Sequence, residues 1–284
     1  MDTTLIERTI PSSGERLPVI GLGTFGAFDM SPRSSTVDTL QEVVDLFDSR
    51  GGRVVDSSPM YGNAEAVVGM LRAARRTADL DPMFVATKVW TQGAREGIAQ
   101  MERSMQRLRA PRIDLMQVHN LVDVDTHLDT LEGWKLEGRI RYTGITHYHG
   151  SAFAALEKLM RNRSIDFVQF NYHALDREAE QRLLPAAADT GTAVLVNRPL
   201  GQGELVRRMH GRPLPAWATR GGYRSWAQLA LAFVIAHPAV TCVIPATADV
   251  AHLADNFDAA SVTPERPAPD AALARRIAQA IAAA

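Results

Sequence analysis

The chain has 284 residues, 46% of them hydrophobic, enough for one large core; barrel enzymes of about 250 residues usually form one domain. Lys and Arg total 31 against 32 Asp and Glu, a net charge of −1, so no field draws the chain to nucleic acid or to an acidic membrane. The expected partner is a small molecule. The lone cysteine, Cys242 in VTCVIP, cannot form an internal disulfide and reads as a buried strand residue. No apolar stretch of signal-peptide length stands in the first twenty residues, and the longest apolar run, around 229–236, is too short to span a bilayer. A reducing, cytoplasmic setting is expected.

In chain order, RTIPSSGERLPVI (8–20) predicts a hairpin turning at Ser13-Gly14, placed to plug the floor of a barrel. Short runs rich in β-branched residues then alternate with segments of helical period. The predicted strands are 20–24, 53–58, 83–90, 113–120, 142–147, 166–172, 193–199 and 240–246. The helices between and after them are 36–49, 64–76, 93–109, 126–138, 151–161, 178–190, 225–237 and 249–259. In the third helix Ile98, Met101, Met105 and Leu108 recur at spacings of three and four, an apolar stripe to lay against a sheet. TPERPAPD (263–270) is a proline-rich connector, and 271–284 forms an additional alanine-rich helix. Eight βα units in succession predict an α/β fold, a (β/α)8 TIM barrel with an N-terminal β-hairpin and a C-terminal extra helix, as one domain over 1–284.

In such a barrel the chemistry gathers at the carboxyl ends of the strands. Strand two ends in Asp56 and leads into Tyr61-Gly62, strand three ends at Lys88, and strand four at His119. Singly, each has a structural explanation: a turn cap, a half-buried aromatic, a solvated amine, a satisfied core imidazole. Together they match a chemical need. When hydride reaches a carbonyl carbon, charge builds on the oxygen, and a group must stabilise it and deliver a proton. A tyrosine hydroxyl does both if a cation lowers its pKa. Lys88 supplies that cation, Asp56 is its counter-ion, and His119 either orients the carbonyl or shares in the proton relay. No G-x-G-x-x-G fingerprint follows a strand, so a Rossmann site is not expected.

The stretches GLGTF (21–25), VDSSPMYGNAE (55–65), VATKVW (85–90), RIDLMQVHN (112–120), GRIRYTGIT (138–146), RPLGQG (198–203) and IPAT with HLADN (244–256) resemble the aldo-keto reductase family over nearly the whole chain. The resemblance implies that Asp56, Tyr61, Lys88 and His119 are its catalytic tetrad in NAD(P)H-dependent reduction of aldehydes or ketones, direction in the cell left open. It places Gly23, Thr24 and Asp56 near the nicotinamide ribose, Gln169 on the carboxamide, and Pro199, Leu200, Gly201 and Gly203 in the cofactor loop after strand seven. Thr146 and His147 stand where the family has a Ser-Asn pair; Asn197 and Arg198 stand where it has a stacking aromatic and a small residue, so that either the ring is held more weakly or Tyr172 or another aromatic covers it. At the adenosine end Asp255 and Asn256 match the adenine positions, while Ala246, Thr247 and His252 leave the site without the usual Lys or Arg for a 2′-phosphate. NADP is the family default, with NAD or dual use open.

Substrate contacts are expected from Phe25, Phe28, Trp90, Asn120 and Tyr148, the larger side chains beyond the strand ends. The loop after strand four is short, which predicts an open pocket of broad tolerance for small carbonyl compounds. The histidines His147, His149 and His173 lack a carboxylate or cysteine at ligand spacing, and no metal is expected. Arg198 binds either an acidic substrate or the cofactor pyrophosphate, or pairs with a loop carboxylate. Two other functions share the fold: a cofactor-sensing subunit with little turnover, and a phosphate-binding isomerase or lyase, for which the Tyr, Lys and Asp set has no role. The assembly state is not legible.

Overall fold

The computed structural model describes residues 4–31, 36–75, 83–263 and 266–283. Eight parallel strands form one sheet in sequence order: β1 (Leu22–Gly23), β2 (Val54–Asp56), β3 (Phe84–Val89), β4 (Ile113–His119), β5 (Ile140–Thr146), β6 (Phe167–Asn171), β7 (Ala193–Asn197) and β8 (Val240–Val243). The ring is closed between its ends, where Gly21 N donates to Val243 O at 2.8 Å and Gly23 N to Pro245 O at 3.1 Å. Position 76 of the second expected helix, 264–265 of the proline-rich connector and residue 284 lie outside the described residues.

Helices cover the outside: α1 (Thr36–Ser49), α2 (Ala64–Ala73), α3 (Ala94–Arg107), α4 (Val124–Leu136), α5 (Phe153–Asn162), α6 (Leu183–Thr190), α7 (Trp226–Ile235), α8 (Val250–Ala259) and α9 (Ala271–Ala283). The stripe on α3 is borne out: Met101 and Leu108 are fully buried, with Ile98 and Met105 packed at the edge of the core. The expected sixth helix begins instead as a 3-10 turn over Glu178–Gln181. Arg182, at φ −140° and ψ −62°, breaks it from α6. Two short helices, Glu204–Met209 and Ala216–Arg220, occupy the stretch between β7 and α7.

The strands read as near-continuous apolar runs because each is buried on both faces. Side chains alternate between lumen and helices, so residues two apart share a destination. Val54, Phe84, Ala86, Leu115, Tyr142, Phe167, Ala193, Leu195, Cys242 and Ile244 fill the lower lumen. Ile10 and Leu17 join that cluster at 0% exposure from the antiparallel hairpin of Glu7–Thr9 with Arg16–Pro18, which closes the floor as expected. Burying two such aliphatic side chains contributes about 1.5–3 kcal/mol each. Above this dry layer, the next inward positions are Asp56, Lys88, Gln117, Gly144, Gln169 and Asn197, all polar except the glycine, with Thr146 one step higher on β5. The functional layer therefore rests on a packed floor.

Candidate active site

Lys88 and Asp56 form the centre of the polar layer. Lys88 Nζ lies 2.7 Å from Asp56 Oδ2 and donates to Ser57 O at 2.6 Å; its side chain is 0% exposed and that of Asp56 3%. The other carboxylate oxygen accepts from Gln117 Nε2 at 3.1 Å and Gln169 Nε2 at 2.9 Å. Gln169 Nε2 also donates to Gln117 Oε1 at 3.2 Å, and its own Oε1 accepts from Thr146 Oγ1 at 3.3 Å and Asn197 Nδ2 at 3.4 Å. Six strands, β2 to β7, thus contribute to the network around one buried ion pair. Gly144 on β5 makes room, since a Cβ there would come within 2.9 Å of Gln117 Cγ.

Burial draws the Lys88 ammonium down, but Asp56 and Tyr61 outweigh it and hold Lys88 above its ordinary value. The remaining N–H of Lys88 is left for Tyr61, whose ring centroid is 4.9 Å from Nζ. For Tyr61 the balance runs opposite to the expectation from charge alone: burial pushes the phenol up by more than Lys88 lowers it, and Asp56 adds to the rise. Tyr61 therefore stays protonated. Desolvation is a property of the assembled pocket and is not visible in the residue list.

The loop carrying Tyr61 is pinned from two sides. Asp29 Oδ1 accepts from Asn63 N at 2.9 Å, and Gly62 adopts φ +58° where a Cβ would lie 2.1 Å from that same oxygen. On the inner side Ser58 Oγ accepts from Met60 N at 3.2 Å and lies 3.2 Å from His119 Nδ1. If the Ser58 hydroxyl donates to Nδ1, accepting from Met60 N at the same time, Nδ1 is the acceptor nitrogen of the ring. That favours the tautomer whose Nε2 carries the hydrogen. Burial first, then Lys88 and His147, push His119 down to about 3, so the imidazole is neutral at physiological pH. A neutral Nε2–H can orient a carbonyl; a proton relay through imidazolium has no support here. Tyr61 and His119 meet edge to face, centroids 6.1 Å apart.

A cavity of about 590 Å³ opens over this layer. Of the expected residues it is lined by Gly23, Thr24, Phe25, Asp56, Tyr61, His119, Asn120, Thr146, Tyr148, Gln169, Asn197, Arg198, Pro199, Leu200, Gly203 and Ala246. Thr24 Oγ1 donates to Asp56 O at 3.0 Å and lies 3.0 Å from Ser57 Oγ. Phe25 stands edge-on to Tyr61 at 5.0 Å. Asn120 Oδ1 and Asn197 Oδ1 are buried acceptors without a partner among the described residues, the kind of atom an amide N–H would satisfy. Gln169, the expected carboxamide contact, lies in the cavity wall with both ends of its amide engaged within the polar layer.

Several expected residues are placed elsewhere. Phe28, 1% exposed, packs into the core rather than the cavity, and Trp90, 39% exposed, is not among the residues lining it, while its backbone pairs with the Gln100 side chain. Tyr172 does not cover the cavity: it is buried against Phe233 and donates to Glu180 Oε1 at 2.7 Å. Lys88, Gly201, His147, Thr247, His252, Asp255 and Asn256 are outside the cavity wall, although Gly201 and His147 adjoin it in sequence. Asp255 spends both oxygens on α7, accepting from Ser225 Oγ and from Gln228 Nε2 at 2.7 Å. Asp249 caps α8, accepting from His252 N at 2.9 Å, and its own N–H is held by Thr247 Oγ1 at 3.0 Å. His149 N donates to His147 Nδ1 at 3.1 Å and His149 Nδ1 lies 2.9 Å from Ser151 Oγ. Sequence reasoning missed Ser58 and Gln117. The period-two pattern Leu115, Gln117, His119 was the available signal for the glutamine.

The fold is a closed eight-stranded parallel barrel in which Asp56, Tyr61 and His119 line a cavity at the mouth and Lys88 lies buried behind Asp56. The sequence profile of the aldo/keto reductase family matches residues 19–266, and the chain belongs to that family of NAD(P)-dependent oxidoreductases. It is 25% identical over 306 aligned residues to the aldo-keto reductase ausK of Emericella nidulans, covering 89% of this chain and 76% of that one. To the glyoxal reductase of Bacillus subtilis it is 27% identical over 214 residues, 72% of each chain. Among solved structures, the aldo/keto reductase from Klebsiella pneumoniae in complex with NADP and acetate superposes with a TM-score of 0.79 at 22% identity, covering 97% and 96% of the two chains.

Proposed function

We propose that the protein, acting as one domain over 1–284, reduces aldehydes or ketones to alcohols with NADPH. The observation that carries this reading is the order of the polar layer: a protonated phenol and a neutral imidazole face the cavity while a fully buried Lys88–Asp56 pair stands behind the phenol. Similar structures were solved with NADPH or NADP, and a relative is named a glyoxal reductase, which supports the cofactor and the carbonyl class. When bound, the cofactor supplies the hydride. Gly23, Thr24, Thr146 and Asn197, with Pro199, Leu200 and Gly203 of the loop after β7, would hold its nicotinamide end, the unpartnered Asn197 Oδ1 receiving the carboxamide N–H. Ala246, Thr247, His252, Asp255 and Asn256 belong to the adenosine end in this reading.

The chain's own part is positional and electrostatic. His119 Nε2–H orients the substrate carbonyl and stabilises charge on its oxygen. Tyr61 delivers its proton to that oxygen. Lys88, kept charged by Asp56, stabilises the phenolate left behind, and Gln117 and Gln169 fix the carboxylate. Phe25, Asn120 and Tyr148 bound the substrate. Following NADPH and NADH absorbance with a panel of aldehydes tests the reading. Wild type should consume NADPH, and Tyr61→Phe should bind it but turn over about 10²–10⁴-fold more slowly. Binding by both proteins with turnover by neither would favour a cofactor-sensing role instead.

A further inference from the structure

Among the described non-glycine residues with positive φ, all but Arg109 sit in two loops of the barrel mouth: Asn120, Leu121 and Asp123 after β4, and Arg198 and Gln202 after β7. Arg198 combines this strain with charge. Its φ is +49°, a conformation that costs free energy in a residue with a Cβ and that persists where the surroundings enforce it. The guanidinium is carried from the end of β7 past β6 to the rim of β5, where its carbon stands 4.1 Å from the centre of the Tyr148 ring. Tyr148 is stacked in turn on His147, centroids 5.5 Å apart and planes 20° from parallel.

No carboxylate among the described residues pairs with Arg198, and its side chain lies in the cavity wall. Elsewhere this chain gives its arginines partners freely, as with Arg141 between Glu15 and Asp114 or Arg163 among Asp125, Asp129 and Glu132. Asp56, the other charged residue in the wall, is already neutralised by Lys88. Arg198 is therefore the charged residue of the wall that has no ion-pair partner among the described residues. It acts on the Tyr61 side: Arg198 is among the charges lowering both the Tyr61 phenol and His173. The Tyr148 ring supports the guanidinium through a cation–π contact, which uses none of its N–H donors in an ion pair.

We propose that Arg198, backed by Tyr148 and His147, is an anion subsite that selects carbonyl substrates carrying a carboxylate. This rests on the carbonyl-reductase reading above and specifies its substrate class. A carboxylate meets the planar fork in a charge-assisted, paired contact while the carbonyl is presented to Tyr61 and His119. Cofactor phosphates share that chemistry. The direction in which the guanidinium is carried, toward β5 rather than toward Ile244, Pro245 and Ala246 after β8, favours the substrate.

The test compares kcat/KM for 4-carboxybenzaldehyde and benzaldehyde, and for succinic semialdehyde and butanal, in wild type, Arg198→Met and Arg198→Gln, with NADPH Kd measured for each. Wild type should prefer the carboxylate of each pair by about tenfold or more, the gain of one charge-assisted contact. Both variants should bring the ratio to near one, and added salt should erode it in wild type. A wild-type ratio near one overturns the proposal. So does a ratio unchanged in the variants, including the case where only NADPH affinity falls, which would assign Arg198 to the cofactor phosphates. If no aldehyde is turned over, the carbonyl-reductase reading fails by itself, and isothermal titration of benzoate still decides: tenfold weaker binding to the variants supports the subsite, equal binding overturns it.

Discussion

Replacing Lys88 by Met isolates the ion pair at the centre of the site. The side chain is 0% exposed and its partner Asp56 3%, so neither charge has water to fall back on. Removing one member of such a pair typically costs about 3–5 kcal/mol, because the survivor is left buried and unpaired. Here the survivor keeps two donors, Gln117 Nε2 at 3.1 Å and Gln169 Nε2 at 2.9 Å, on Asp56 Oδ1. Hydrogen bonds to a charged group are worth about 1.5–3 kcal/mol each, so the loss should sit at the low end, about 3 kcal/mol. Urea unfolding with an unchanged m-value measures it. The folded-state pKa of Lys88 lies above its ordinary 10.5. Its contribution is therefore fully present below the unfolded pKa and is lost only as pH rises through the folded one. The difference between wild type and variant should be flat on the lysine side between about pH 6 and 9. A loss under about 1 kcal/mol, or a difference that shrinks across that window, would refute the idea that Lys88 is charged and paired in the fold.

Four further outcomes follow from the geometry. His119 is held near 3 against an ordinary 6.5, so its neutral form contributes stability above pH 6.5 that is lost as pH falls toward 3; His119→Asn should flatten that part of the acid limb in pH-dependent unfolding. Ser58→Ala removes the donor to Nδ1, and nitrogen chemical shifts of His119 should then show a mixed tautomer, with kcat lower by about tenfold for one lost orienting hydrogen bond. Gly62→Ala places a Cβ 2.1 Å from Asp29 Oδ1 at φ +58°; a stability loss of about 1–3 kcal/mol and a lower kcat with folded spectra are expected. Ala246→Arg supplies a cation at the proposed adenosine end, and fluorescence titration should show the NADPH to NADH affinity ratio rising about tenfold for one charge-assisted contact.

The barrel was legible because burial on both faces writes each strand as a short apolar run, and helices such as α3 write their inner face in a stripe. Asp56, Lys88 and His119 were legible for a geometric reason: strand ends of a parallel barrel open at one face, so polar residues closing consecutive runs must meet. Ser58 was hidden because its role depends on where the Met60 N–H goes. Phe25 and Phe28 were inseparable in sequence, three residues apart in one loop, yet one stands on Tyr61 at 59% exposure and the other is 1% exposed in the core. The direction of the Tyr61 shift was equally out of reach. A nearby lysine can be read from a sequence, whereas the desolvation that outweighs it belongs to every atom around the ring.

Charge is distributed unevenly over the cavity, with consequences for how selectivity and chemistry divide. Tyr61 is held as a phenol, His119 as a neutral imidazole, and Lys88 cancels Asp56, so the groups proposed to act on the carbonyl present no net charge near neutral pH. A substrate charge placed among them would gain nothing and lose its hydration. Arg198 offers that charge a partner beside the reacting groups, its backbone at φ +49° and its guanidinium set against the Tyr148 ring. Separating the two functions lets the Lys88–Asp56 pair keep one protonation state whichever substrate binds, because the anion's field falls on a guanidinium that does not titrate. The Tyr61 phenol would feel the arrival of a carboxylate chiefly as neutralisation of Arg198, one of the charges lowering it. Binding a carboxylate-bearing substrate would thereby raise the phenol further and keep the proton on Tyr61 until the developing alkoxide draws it off.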